Sequence, residues 1–428
     1  MSKELTKQEK RILSHQWHQK RASFHATVLL IFLALPFLSH HWIFTSSAPE
    51  STRGEDVEYR ISMVGDMMMG RHVEEHALMN DFHIDYVFEY VRPYFQESDY
   101  VTGNLESPIV DAEDPEIEAQ MEEAALRHKD IHLHALPWAI DALEGAHFDS
   151  VTLANNHSLD YGDLSLYQTL DHFENRDVEV LGIGHGLDLS TRQVNEGLKD
   201  SSRISYFDMG EDSTGAIISI TDSYVRGFDA SENVGGVFTS PNMDVLANRL
   251  IHAKTPKAQG GGGADLAIVH IHWGDEYQVR YNENQQEDAQ FMADYGADII
   301  IGHHPHVLQS ASIIEGRDPL NEDRDHETLV MYSLGNFVFD QGWTTTKEST
   351  IAQLDFLTDG SKELSFVPMW IENATPRETG GLMKGYRDRR IFRMLSKDLD
   401  SDLYRVENGR LVIDLEKTKV LQGGNLND

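Results

Sequence analysis

From Val57 onward, short runs of consecutive apolar residues alternate with stretches in which apolar positions recur every three or four residues. The first pattern marks buried strands and the second marks helices with one apolar face. Residues 60–64, 148–153, 178–183, 216–221, 266–272, 298–301 and 328–333 read as strands, and 84–96, 164–175, 243–252 and 287–295 as helices. Strands separated by helices imply an α/β fold in which helices cover sheets. Two segments break the rhythm. The acidic run 111–123 reads as an exposed insertion, and 255–263, ending in four glycines, as a flexible connector.

Before this region the pattern changes. Residues 26–44 are apolar except for Thr27, Ser39 and the His40-His41 pair, close to the ~20 residues that a bilayer-spanning helix needs. The preceding segment carries Lys3, Lys7, Lys10, Arg11, Lys20 and Arg21 against Glu4 and Glu9, which places the amino terminus in the cytoplasm and the bulk outside. A cleaved signal peptide is the rival reading, with Ser46-Ser47-Ala48 as a small-residue site; the long leading segment and Pro49 favour an uncleaved anchor. The expected order is a cytoplasmic basic segment 1–25, a transmembrane anchor 26–44, a polar linker 45–56, a main domain 57–372 and a carboxy-terminal extension 373–428. On this reading the chain is a single-pass protein of the cell membrane with its main domain extracellular.

Charge and cysteine content narrow the function classes. Among 428 residues, 71 Asp and Glu oppose 36 Lys and Arg, a formal charge of −35. That argues against nucleic acid as a partner, because phosphate binding needs a basic footprint. With no cysteine, disulfides, thiolate ligands and a Cys nucleophile are ruled out.

The candidate chemistry lies where apolar runs end. The run 298–301 leads into Gly302-His303-His304-Pro305-His306, three imidazoles on one turn. Gly302 allows a sharp turn and Pro305 sets its own φ, so His304 and His306 can serve one metal site or two adjacent ones. Other runs end on Gly65-Asp66, on Gly103-Asn104-Leu105-Glu106, on Ala154-Asn155-Asn156-His157, and on His270-Ile271-His272-Trp273-Gly274-Asp275-Glu276-Tyr277. Singly these are weak signals: Asp66 can cap a helix, Asn156 can form an Asx turn, and His270 can be a core histidine. Open α/β sheets bind ligands outside the carboxyl ends of their strands, so these ends can converge. Carboxylates, an amide oxygen and several imidazoles suit two divalent ions roughly 3.5 to 4 Å apart. Mixed N and O ligands favour Mn, Fe or Zn over Ca or Mg, and a further His would act as acid for a leaving group.

The order of these segments is itself informative. Gly65-Asp66-Met67-Met68-Met69-Gly70-Arg71, Gly103-Asn104-Leu105-Glu106, Ala154-Asn155-Asn156-His157 with Asp160 and Gly162, His272-Trp273-Gly274 with Glu276-Tyr277, Gly302 to Val307, and Ser333 to Gln341 together resemble the CapA (PgsA) family of poly-γ-glutamate capsule biosynthesis proteins. The family is similar to calcineurin-like metallophosphoesterases, which implies a two-sheet αββα sandwich with a metal site at strand ends. The resemblance implies one or two divalent ions. Asp66, Glu106 and His306 would hold the first, with Glu106 bridging to a second on Asn156, His272 and His304. His157 matches the leaving-group acid, and His270 and His303 receive no role. The phosphoesterase pattern Asp-x-His is broken, because Met68 occupies its third position and a thioether is a poor ligand for hard divalent ions.

Two functions follow from the resemblance. One is an accessory subunit that works beside a ligase and small membrane subunits to elongate, export or tether poly-γ-glutamate. The other is a metal-dependent hydrolase of a phosphoester or of the polymer's amide bond. The basic cluster Arg387, Arg389, Arg390 and Arg393 reads as a solvated tail and as the best candidate for polymer contact.

Overall fold

The computed structural model describes residues 6–38, 52–79, 83–127, 129–187, 200–210, 213–321 and 325–422. The chain forms two units, Met1–Ser46 with Thr379–Gly385, and Ser47–Glu378 with Tyr386–Asp428. In chain order the strands are β1 (Val57–Met67), β2 (Tyr100–Leu105), β3 (Ser150–Thr152), β4 (Glu179–Leu181), β5 (Ile183–Gly184), β6 (Ser205–Asp208), β7 (Thr214–Thr221), β8 (Gly236–Val237), β9 (Leu266–His272), β10 (Ile299–His303), β11 (Ala311–Arg317), β12 (Asp325–Met331), β13 (Asn336–Val338), β14 (Glu348–Leu357), β15 (Lys362–Glu372), β16 (Thr375–Glu378), β17 (Tyr404–Glu407) and β18 (Arg410–Asp414).

Two mixed sheets organise the larger unit. The first runs β17-β18-β15-β14-β1-β2-β3-β4, with β13 beside β1 and β16 beside β15; the second runs β11-β12-β10-β9-β7-β6. Strands β1 to β4 are parallel, as are β7, β9, β10 and β12. The two-residue period of a strand sends alternate side chains to opposite faces. Ile268, Ile299 and Ile301 accordingly meet Ile61, Met63 and Leu354 of the first sheet, while Val269, Ile271 and Ile300 pack with Leu246, Leu250 and Met292 from two helices. Val64, Val151 and Leu105 face the helices of the other flank, which contribute Val73, Ile140, Leu143 and Leu166. The layers are therefore helices, sheet, sheet, helices.

Several expectations change. Among the described residues no helix is long and apolar enough to cross a membrane, which overturns the transmembrane anchor at 26–44. The apolar stretch begins inside the helix Ala22–Leu38, whose 17 residues rise about 25 Å at ~1.5 Å per residue, short of the ~30 Å hydrocarbon core. The rest of that stretch, most of the linker 45–56 and the Ser46-Ser47-Ala48 site lie outside the described residues.

The expected helix 84–96 is two pieces, a 3-10 turn Ile84–Phe88 and a helix Arg92–Gln96. Pro93 lacks an N–H and its ring would clash with the carbonyl four residues earlier, so a continuous helix is broken there. The acidic run holds a helix, Pro115–Ala124, capped by Asp114 and packed through Met121 on Val110 and Tyr161. The glycine-rich segment is a folded helix end: Gly262, Gly263 and Ala264 donate to His252, Thr255 and Ala253 carbonyls at 2.7 to 2.9 Å.

Residues after 372 are likewise part of the sheet. Strand β16 pairs back on β15 through Glu372 and Thr375, and β18 joins β15 through Leu364 and Ile413. The arginines of 387–393 lie on the helix Lys384–Leu395, where Arg390 pairs with Glu348 and Arg387 stacks 3.9 Å over Trp370.

Candidate metal centre

Parallel pairing brings the carboxyl ends of β1, β2 and β3 side by side, and β9 and β10 do the same in the second sheet, where His272 is in register with His303. Because the sheets pack face to face, the two sets of ends meet. The Asp66 carboxylate lies 3.3 Å from His303 Nδ1 and 3.4 Å from His306 Nδ1, and it accepts the His304 backbone N–H at 3.1 Å.

All six residues expected to bind metal converge. Glu106 Oε2 is 3.6 Å from His306 Nδ1, and Glu106 Oε1 is 3.6 Å from His272 Nε2. The Asn156 Oδ1 sits 2.9 Å from the same His272 nitrogen. Asp66, Glu106 and His306 offer ligand atoms within 4.8 Å of one another, and so do Glu106, His272 and His304. Glu106 belongs to both groups, the position a bridging carboxylate requires. Met68 is fully buried in the apolar core beside Val64 and Val73 and contributes nothing.

The histidine turn owes its shape to the histidines themselves. His304 and His306 hold φ of 94° and 57°, a region that non-glycine residues rarely occupy and that costs of order 1–3 kcal/mol. Gly302 has a different role from the one expected. A Cβ there would lie 2.0 Å from the Tyr332 carbonyl oxygen and 2.5 Å from Trp273 Nε1, so the glycine permits close approach of a neighbouring strand end.

Burial sets the electrostatics. It raises the Glu106 carboxyl well above the usual range; His306 opposes this and Asp66 adds to it. Burial also pulls Asp66 upward, but hydrogen bonds and charge from His303 and His306 outweigh it and hold Asp66 well below the usual range. Burial lowers His272 strongly and His304 to about 3. His306 moves the other way: burial would lower it, yet Glu106 and Asp66 push it up to about 9.

The fit to divalent ions rests on orphaned atoms. Both Glu106 oxygens and His304 Nδ1 are buried without a hydrogen-bond partner, although buried polar groups are almost always paired. Imidazoles and carboxylates whose ligand atoms lie within 4.8 Å of one another form a donor set that would suit Mn, Fe or Zn.

His157, the expected acid, is buried and its Nδ1 is 2.7 Å from Asp160 Oδ2. Burial lowers its pKa against the pull of Asp160. Lys129 reaches the same point, donating to the Asn156 carbonyl at 2.6 Å and approaching His157 Nδ1 at 2.9 Å while it pairs with Asp160. The rings of His270 and His303 lie 6° from parallel and share a 2.9 Å hydrogen bond between His270 Nδ1 and His303 Nε2, and His270 Nε2 contacts Thr102 Oγ1 at 3.1 Å.

Other residues also reach the site. Asn104 Nδ2 donates to Asp66 at 2.8 Å, Ser223 Oγ contacts His304 Nε2 at 3.1 Å, and Asn336 Oδ1 meets His306 Nδ1 at 2.9 Å. Glu276 also comes within reach of His304 and His306. Asn104, Glu276 and Asn336 lie in the segments that carry the resemblance; Lys129 and Ser223 carry no sequence signal.

Comparison with known proteins finds relatives that match nearly the whole chain. The chain is 35% identical over 425 residues to "Capsule biosynthesis protein CapA" of Bacillus anthracis, covering 99% of this chain and 94% of that protein. It is 30% identical over 422 residues to "PGA biosynthesis protein CapA" of Bacillus subtilis (strain 168), covering 99% of this chain and all of that protein. A "Probable polyglutamine synthesis accessory protein" of Mycobacterium tuberculosis is 23% identical over 205 residues, about half of each chain. With residues 60–341 matching the model of the bacterial capsule synthesis protein PGA_cap, the chain belongs to that family.

Proposed function

We propose that this protein is an accessory subunit of poly-γ-glutamate capsule synthesis and export, working through a divalent-metal centre beside a ligase and small membrane subunits. The observation that carries the metal reading is the Glu106 carboxylate, fully buried, unpartnered, and shared between Asp66–His306 and His272–His304. The pathway reading rests on near full-length relatives whose names place them in capsule and poly-γ-glutamate synthesis. Divalent ions at these residues would polarise a phosphoryl or carbonyl oxygen. Around them Asn104 and His303 orient Asp66, Ser223 contacts His304, and Asn336 contacts His306.

A second reading, a hydrolase of a phosphoester or of the γ-glutamyl polymer, is favoured by the His157–Asp160 pair next to Asn156. An imidazole oriented through Nδ1 leaves Nε2 to carry a proton to a leaving group.

The test replaces the chromosomal copy with Asn156→Ala and with His304→Ala and measures cell-associated polymer and metal content of the purified protein. Loss of metal together with loss of polymer supports the proposal. Polymer unchanged, in variants and parent that take up no metal, leaves a metal-independent scaffold. Release of product from a phosphodiester or a γ-glutamyl oligomer with Mn, abolished by His157→Ala, selects the hydrolase.

A further inference from the structure

The weak point of the centre is the position of Asp66 and His306, which Met68 deprives of a third-position histidine. We propose that Glu276 is a metal ligand shared with His304 and His306, closing the centre from its solvent side; this rests on the metal centre proposed above. The Glu276 carboxylate, His304 and His306 offer ligand atoms that all lie within 4.8 Å of one another. The same two histidines are the ones Glu106 joins, His304 in company with His272 and His306 in company with Asp66. Two carboxylates thus flank one histidine pair, Glu106 fully buried and Glu276 exposed.

The loop that carries Glu276 is held in place. Gly274 and Tyr277 adopt φ of 82° and 64°, and the Tyr277 backbone N–H donates to the Pro305 carbonyl at 2.8 Å, pinning the loop to the histidine turn. Gln341 Nε2 donates to the Tyr277 hydroxyl at 3.1 Å. An independent pointer to a ligand is His304 Nδ1, which has no partner on a side chain only 6% exposed. Charge also favours the assignment. With neutral histidines, Asp66 and Glu106 offset half the charge of two divalent ions, and a third carboxylate brings the cluster closer to neutrality, which matters where burial makes net charge costly.

The experiment uses the full chain, stripped with a chelator and dialysed against graded Mn, with bound Mn counted and its electron paramagnetic resonance spectrum recorded. Glu276→Gln is expected to weaken Mn at one position by about tenfold or more and to remove spectral coupling between ions, with Glu276→Asp recovering part of both. Asp275→Asn makes the same charge change on the neighbouring exposed residue and is expected to leave binding intact. Unchanged affinity in Glu276→Gln, or equal weakening in Asp275→Asn, overturns the ligand role while the centre stands. A parent chain that takes up no Mn overturns the centre itself, and this inference with it.

Discussion

Replacing Glu106 by Gln separates what the protein needs from what the metal needs. The side chain is 0% exposed, and the imidazole nitrogens of His272 and His306 are 3.6 Å away, beyond hydrogen-bond range. Gln is equally buried and unpartnered but never charged, and an unpaired buried charge costs more than an unpaired neutral group. Once pH is high enough for the parent's Glu106 to ionise, the metal-free variant should therefore be about 2 kcal/mol more stable than the parent. For a unit of roughly 370 residues, an unfolding entropy of about 2.1 cal/mol/K per residue converts this to a midpoint about 2–3 °C higher. The pH dependence has a definite sign. A carboxyl held above its unfolded pKa contributes fully below the unfolded value and loses that contribution as pH rises through the folded one. The advantage of Gln should accordingly vanish at acid pH, where both side chains are neutral, and widen as pH rises. Metal inverts the order. At about 100 times its dissociation constant a ligand adds about 2.7 kcal/mol, so the parent should gain about 3–4 °C with Mn and the variant almost nothing. Thermal melts of both proteins, with chelator and with Mn, read all four values. A metal-free variant less stable than the parent, or one with the parent's full response to Mn, would refute the reasoning.

Three further outcomes are expected. Arg60 and Asp355 form a buried two-contact pair at 2.6 and 2.7 Å, so Arg60→Met should lower urea-unfolding stability by about 3–5 kcal/mol and Arg60→Met with Asp355→Leu should regain most of it; a single variant as stable as the parent would contradict this. Glu74 is half-buried, and burial reinforced by Glu113 and Glu75 raises it to about 7. Its contribution is full below the unfolded value and fades as pH rises through 7, so Glu74→Gln should flatten the stability profile between pH 4.5 and 7 by about 1 kcal/mol after solvent screening. Since His306 is held near 9 in the metal-free protein, Mn uptake at pH 7 should expel about one proton from it, seen as buffer-dependent heat in titration calorimetry and lost in His306→Gln.

Much of this protein is legible in its sequence. A strand declares itself by β-branched runs such as 298–301, and candidate chemistry at strand ends declares itself by residue type, so Asp66, Glu106, Asn156, His272, His304 and His306 could be named as candidates before the structure brought them together. Local signals mislead where a neighbour decides. Residues 255–263 read as flexible because glycine is permissive, yet their amides close onto the preceding helix end. The arginines of 387–393 read as a solvated tail, yet Ile391, Phe392 and Leu395 on the same helix are buried in the core.

Periodicity, residue type and motif order are properties of contiguous chain, and they alone determined the alternation of strands and helices, the ligand candidates and the family. The meeting of two sheets is not such a property. It decided that Glu106 stands between two histidine groups, that Ser223 contacts His304 and Lys129 contacts His157, that Glu276 reaches His304 and His306, and that residues after 372 join a sheet. Each of these depends on strand pairing and face-to-face packing between residues far apart in the chain, whose geometry no local pattern encodes.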